Sequence, residues 1–562
     1  VKHSWRDALS MSGWWRLRPV DATWLSALRA MIGSILPVVV VVLAGHIELV
    51  PAAAFGGLTA IYARFEPYPV RGRILAVLGM GITAAVGVGS LTVALHASAM
   101  VAVLAVAMVA ALSRMGTDVI AAGAPGVLVF VFATATTAAL PTTWAGLGAQ
   151  MAAAAGGAAT GWLVAMAPGL VDPLGPVRLA VARALDAVAL RDRAQTDRHA
   201  AAAAIEAAWR ALSTAPYGGR HGAIAARLEA ELARAETVLH GGAVAEPRMR
   251  ARARVLRRPV LVSSREEWEE IAGRRAVSRW QPGWRPRWGA ALRAALRPGS
   301  PEIGRALRVL VGAFVAGLLG HGLHLGHPYW ATVAAAAVLQ STNLRHTLHR
   351  AVQRGLGTVA GAVLAWGLLE LHLPQAWVVA GIAVALFGGE LMIMRNYALA
   401  MLFVTPLTLL LTSLAGSPDD TVLISDRVVN TALGATLGVL AACLVPGHWA
   451  LTRLRAAVWR VQRACDLLAA DPADLRAARA EAIAAVVALR QAWDVVGGEP
   501  VDADAGGIAY AELVLGLEQR SYRLIAESTD RLTRALRGGQ STPRPGFDAA
   551  SPASRARTSR SS

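Results

Sequence analysis

Lysine is all but missing: Lys2 is the single one among 55 basic residues, so arginine carries nearly all the positive charge. A P-loop built on G-x-x-x-x-G-K-[ST] is therefore excluded. Neither H-E-x-x-H nor G-x-S-x-G occurs, which removes two familiar hydrolase arrangements. An enzyme is not expected, and no cofactor motif is present. Cysteine is nearly as scarce: Cys443 in an apolar run and Cys465 beyond it cannot build a disulfide framework or a thiolate metal site. Charged residues make up only 16% of the 562 positions against 55% hydrophobic, which argues against an ordinary water-soluble globule.

What the chain does have is apolar length. Stretches approaching the roughly 20 residues needed to cross a bilayer fall near 27–45, 48–63, 74–95, 97–113, 119–140 and 145–167. They resume near 306–324, 329–342, 353–372, 375–392, 396–415 and 428–446. Pro37, Pro51, Pro125 and Pro406 interrupt several of them, which membrane helices tolerate. The net charge of +18 implies nucleic acid only if the cations form a face or stripe, and here they alternate with apolar runs. Arg29, the run 30–44 and the small residues 52–54 have the layout of a signal peptide. The same segment recurs later in the chain, so a membrane span is the reading here.

The two sets of runs match at a shift of about 276 to 281 positions, as an internal repeat should. "LRAMIG" (28–33) pairs with "LRVLVG" (307–312), and Pro125 with Pro406. "GGAATG" (156–161) pairs with "LGATLG" (433–438), both small-xxx-small patterns for close helix approach. Arginine avoids the turns at 46–48, 96, 141–143, 321–327, 371–374 and 416–421. It fills the alternate ones through Arg64, Arg71, Arg73, Arg114, Arg345, Arg350, Arg354 and Arg395. Positive charge is retained on the cytoplasmic side, so both termini and the middle region are expected there, with the two copies parallel.

The expected fold is all-α: a polytopic inner-membrane protein of two parallel six-helix repeats plus a cytoplasmic helical bundle. An interfacial segment (1–24) leads into the first unit (25–170), followed by a helical region with a basic linker (171–304). The second unit (305–447), C-terminal helices (448–538) and a disordered tail (539–562) complete it. "WWRLRP" (14–19) and Trp280, Trp284 and Trp288 among arginines suit the headgroup region.

"GHPYWATVAAAAVLQ", "LHRAVQRGLGTVAGAVLAW" and "DRVVNTALGATLGVLAACLVP" resemble the fusaric acid resistance (FUSC) family of integral membrane transporter-like proteins, over about 305–446. The resemblance implies an exporter of aromatic carboxylic acids, with plant malate channels as distant relatives. Its family-like positions here are Pro328, Tyr329, Trp330, Arg350, Arg354, Gly357, Thr358, Gly361, Arg427, Thr431, Gly434 and Gly438.

An anion crossing a low-dielectric core needs cations or helix N-termini on its route. Substrate or gate candidates are Arg114, Tyr329, Trp330, Arg395, Asn396, Arg427 and Asn430; against them stand an aromatic belt for the rings and positive-inside anchoring or local ion pairs for the arginines. Proton coupling needs a carboxylate or histidine whose titration burial can move, and Asp118, Glu390 and Asp426 are the candidates. Gly157, Gly161, Gly357, Gly361, Gly434 and Gly438 read as helix-packing positions. His321, His324 and His327 lie in one outer turn, but their spacing leaves a helical face, so no metal is expected. The expected function is secondary, proton-coupled export of organic, above all aromatic, carboxylates. The partners are the bilayer and a small anion, with a homo-oligomer left open and nucleic acid excluded. A passive anion channel and a membrane scaffold acting through its cytoplasmic helices are the rivals.

Overall fold

In the computed structural model the described residues are 17, 23–190, 195–214, 219–240, 247–258, 288–298, 300–341, 343–414, 420–444, 448–470, 472–497 and 506–538. The expectations for 14–16, 18–19, Trp280, Trp284 and the tail 539–562 lie outside them. Every regular element among the described residues is helical. The first membrane half holds α1 (Thr23–Leu43), α2 (Val50–Gly57), α3 (Tyr68–Ala94), α4 (Ala99–Val119), α5 (Leu128–Thr137) and α6 (Trp144–Met166). Four helices follow: α7 (Gly175–Ala189), α8 (Gln195–Leu212), α9 (Gly219–His240) and α10 (Pro247–Arg257). The short α11 (Trp288–Ala295) precedes the second half: α12 (Pro301–Gly322), α13 (Tyr329–Leu339), α14 (Leu344–Glu370), α15 (Gln375–Ile393), α16 (Tyr397–Leu414) and α17 (Asp420–Leu444). The chain closes with α18 (His448–Ala469), α19 (Leu475–Val496) and α20 (Gly506–Gly538).

This is a multi-pass membrane protein. Nine helices among the described residues are long and apolar enough to span a bilayer, not twelve. The correction falls on the runs 48–63, 119–140 and 329–342. At 1.5 Å per residue, the ten residues of α5 reach only about 15 Å, half of a hydrocarbon core of about 30 Å. Continuous hydrophobicity hid the breaks. Ala121, Gly123 and Gly126 have positive φ and end the helical path before α5 can begin. Pro51 starts α2 anew, and Ala63, at φ 49°, turns the chain after it.

The short helices are the most buried part of the molecule. Every residue of α2, α5 and α13 is buried. Wrapped by the long spans, they meet no lipid, so their unspent end carbonyls and amides can be answered by protein. Small residues make that wrapping possible. A Cβ on Gly157 of α6 would stand 2.2 Å from the Ala53 carbonyl of α2, and one on Gly434 of α17 the same 2.2 Å from the Ala331 carbonyl of α13. Gly161 meets the Gly57 carbonyl, Gly357 and Gly361 lie against α16, and Gly438 faces Ala335. The halves meet each other in like fashion: α1 packs on α15, and α12 on α4.

Helices α7–α10 and α18–α20 share one separate apolar core, including Val181, Leu185, Ile205, Leu232, Leu454 and Val486. Their polar outer faces make this a bundle distinct from the membrane core.

Candidate functional site

Arg354 and Arg427 are the two largest fully buried side chains among the described residues, at 0% and 1% exposure. Arg427 sits in the first half of α17, where its guanidinium lies 5.2 Å from the Phe132 ring of α5 and 5.0 Å from the Trp330 ring of α13. Arg354, three residues ahead of Gly357 on α14, lies 5.9 Å from the same Phe132 ring. Its Nη1 donates to the Tyr397 hydroxyl of α16 at 2.9 Å and approaches the Met401 sulfur. Five helices thus converge on two cations that share one phenyl ring.

Neither cation has an ion pair among the described residues. Arg427 Nε and Nη1, and Arg354 Nε and Nη2, are buried donors without a hydrogen-bond partner. Nearly all buried polar atoms in folded proteins are satisfied, and an unpaired charge away from water is costlier still. Cation–π contact offsets part of this, about 0.5 to 2 kcal/mol per ring. The remaining deficit fits an acceptor of negative charge. The arrangement therefore has the chemistry of an anion site: two guanidiniums that can grip a carboxylate, and two aromatic rings beside Arg427. One helical turn before Arg354, Arg350 lies over the Tyr397 ring at 4.2 Å and carries the cationic path toward the start of α14.

Sequence reasoning singled out Arg427, Trp330 and Tyr329, and the structure brings them together. Tyr329 is buried edge-on to Trp330. Arg354 was legible as a position shared with the resembled family, but Phe132 and Tyr397 were missed. Nothing in their sequence surroundings separates them from other core aromatics, since the convergence is made by the fold. Gln150 stands seven residues before Gly157 as Arg427 stands seven before Gly434, and it bonds Ser90 and Thr142 instead. Both cations of the site thus come from the second half, while the Phe132 ring they share comes from the first.

The other candidates lie elsewhere. Asn430 donates to the Gly326 and Asp426 carbonyls and ties α17 to the turn before α13. Asp426 pairs with His327 at 2.9 Å, and the His327 ring stacks on Trp330 with centroids 5.1 Å apart. That leaves one ring between the pair and Arg427. Asp118 pairs with Arg114 at 3.1 Å and with Arg305 at 3.5 Å. Glu390 pairs with Arg64 at 2.8 Å and accepts from Ser26 at 3.1 Å. Asn396 caps α16 by accepting from the amides of Ala398 and Leu399, and Arg395 is half-buried beside it. No group of three metal-capable side chains occurs among the described residues.

Residues 303–441 match the family described as fusaric acid resistance protein-like, a span that includes Trp330, Arg354, Tyr397 and Arg427 but not Phe132. The uncharacterized membrane protein YvaC of Bacillus subtilis (strain 168) is 30% identical over 257 residues, 45% of this chain and 40% of that protein. The uncharacterized protein YhfK of Escherichia coli (strain K12) is 30% identical over 109 residues, 19% of this chain and 15% of that protein. The chain thus spans less than half the length of either relative. No solved structure matches it.

Proposed function

For a chain that belongs to the fusaric acid resistance protein-like family through its second membrane half, we propose a secondary exporter of organic anions, aromatic carboxylates foremost. The observation that carries this is the pair of fully buried arginines beside Phe132, neither paired with a carboxylate among the described residues. A carboxylate seated between Arg354 and Arg427 satisfies their open donors, and an attached ring finds Phe132 and Trp330 beside it. An aliphatic anion takes only the first benefit.

Arginine in the turns near Arg64, Arg345 and Arg395 supports a cytoplasmic face there, with both termini and the bundle inside and the protein in the cell membrane. His327 and Asp426 are the favoured proton-coupling groups, because they form the one candidate pair with two titratable members and it rests on Trp330. Asp118 and Glu390 are each held by an arginine instead. That saturation also favours a second reading, a passive anion channel of the same fold.

Efflux of a panel of aromatic and aliphatic carboxylates from proteoliposomes, with and without an imposed proton gradient, decides among these. Gradient-driven efflux that becomes gradient-insensitive in Asp426→Asn is the expected result. Flux indifferent to the gradient in the unaltered protein identifies a channel. If no anion moves under any gradient, transport is refuted and the bundle becomes the seat of function.

A further inference from the structure

The two most extensive helix contacts between the membrane halves carry the same chemistry. Where α15 of the second half meets α1 of the first, Glu390 is buried and takes Arg64 at 2.8 Å and Ser26 at 3.1 Å. Where α4 of the first half meets α12 of the second, Asp118 takes Arg305 at 3.5 Å along with its own neighbour Arg114. Arg114 Nη1 also donates across the boundary to the Gln340 carbonyl at 2.9 Å. In each case the acid lies near the C-terminal end of the fourth helix of one half. The cations are Arg64 in the turn before α3, Arg305 near the start of α12 and Arg114 on the acid's own helix, all at the arginine-rich ends of the spans.

The extramembrane bundle reaches both places. Beside Arg64, the Phe65 ring lies 4.5 Å under the Arg183 guanidinium of α7. Glu66, next in sequence, feels the charge of Arg210 on α8, while burial raises its carboxyl above the ordinary range. At the other place Arg453 of α18 lies within reach of the charges of Arg305, Glu302 and Asp118, its guanidinium lowered first by burial and then by Arg305. Helix α7 thus touches the residue next to Arg64, α8 brings a charge near the one after it, and α18 packs on α12, the helix that carries Arg305.

We infer that Glu390–Arg64 and Asp118–Arg305 are paired clips that hold the two halves closed at one membrane face, and that the bundle braces both and so sets when they open. As an inner gate this rests on the anion route proposed above; as a clip it does not. Ion pairs largely shielded from water, buried at Glu390 and half-buried at Asp118, suit the purpose, because breaking one by removing a partner leaves an uncompensated charge, so the closed state is lost abruptly rather than by degrees.

The experiment uses the full-length protein and a double variant, Asp118→Asn with Glu390→Gln, read by hydrogen exchange in detergent and by anion flux in liposomes loaded with benzoate. The clips predict exchange faster by about tenfold or more, the loss of one charge-assisted contact per site, confined to the first turns of α1 and α12 and the last turns of α4 and α15. They also predict a gradient-independent leak. Arg64→Glu combined with Glu390→Arg should restore slow exchange at the α1–α15 contact, where Glu390→Arg alone does not. Unchanged exchange in the double variant overturns the inference, as does acceleration spread evenly over all helices, which marks a general loss of packing. Localised acceleration in a protein whose unaltered form moves no anion keeps the clips and refutes the transport reading.

Discussion

Replacing Arg427 by methionine separates binding from stability, because the two should move in opposite directions. The guanidinium has two buried nitrogens without partners. If both donate to a bound carboxylate, each charge-assisted bond is worth about 1.5 to 3 kcal/mol. Losing the pair removes roughly 3 to 6 kcal/mol, or about two to four decades of affinity at 1.4 kcal/mol per decade. Without ligand the ledger differs. The variant forfeits cation–π contact with Phe132 and Trp330, about 0.5 to 2 kcal/mol each. It is relieved of burying an unpaired cation, a penalty of several kcal/mol. The thermal midpoint of Arg427→Met should therefore stay level or rise in anion-free detergent. A saturating aromatic carboxylate, which at a hundred times its Kd stabilises a binding protein by about 2.7 kcal/mol, should raise the midpoint of the unaltered protein and leave the variant's unmoved. Scanning calorimetry with and without benzoate, alongside a binding titration, measures both arms. Affinity reduced by less than about threefold refutes the anion site. A midpoint lowered by many degrees in the absence of anion refutes it from the other side, because Arg427 would then be a satisfied structural residue.

Two further outcomes follow from the same geometry. Trp330→Leu keeps an apolar surface but removes the ring over Arg427, so binding of aromatic acids should weaken by about two- to tenfold, the worth of a ring pair at 0.5 to 1.5 kcal/mol, while aliphatic acids change little. Equal losses for both classes in a competition assay defeat the stacking role. Gly434→Ala drives a Cβ to 2.2 Å from the Ala331 carbonyl and should force α13 from α17, lowering the midpoint sharply. Gly355→Ala, which meets nothing within 4 Å, should cost nothing or stabilise, so similar midpoints for the two variants would mean that the close approach is not there.

How much of this was legible in the sequence depends on which length scale carried the signal. Membrane spans announce themselves through some twenty residues of continuous hydrophobicity, and the long helices α1, α15 and α16 were found within a few residues of their ends. Hydropathy has no term for where a helix stops inside an apolar run. Residues 121–127 carry no charge, so an apolar run passes through them into α5, and the positive φ at Ala121, Gly123 and Gly126 is what divides the two. For the same reason the short helices that form the centre read as ordinary spans. The site suffered a related loss. Arginine near a span end reads as an inside anchor, which describes Arg345 well. Arg354 lies nine residues further along the same helix, about 13 Å deeper at 1.5 Å per residue. What marks it as different is the arrival of Phe132 from α5 and Tyr397 from α16, separated from it by 222 and 43 positions. The sequence distinguishes an anchoring arginine from a binding one only through such partners. Depth in the membrane without a carboxylate to answer it is the property to look for, and three-dimensional contact is what reveals it.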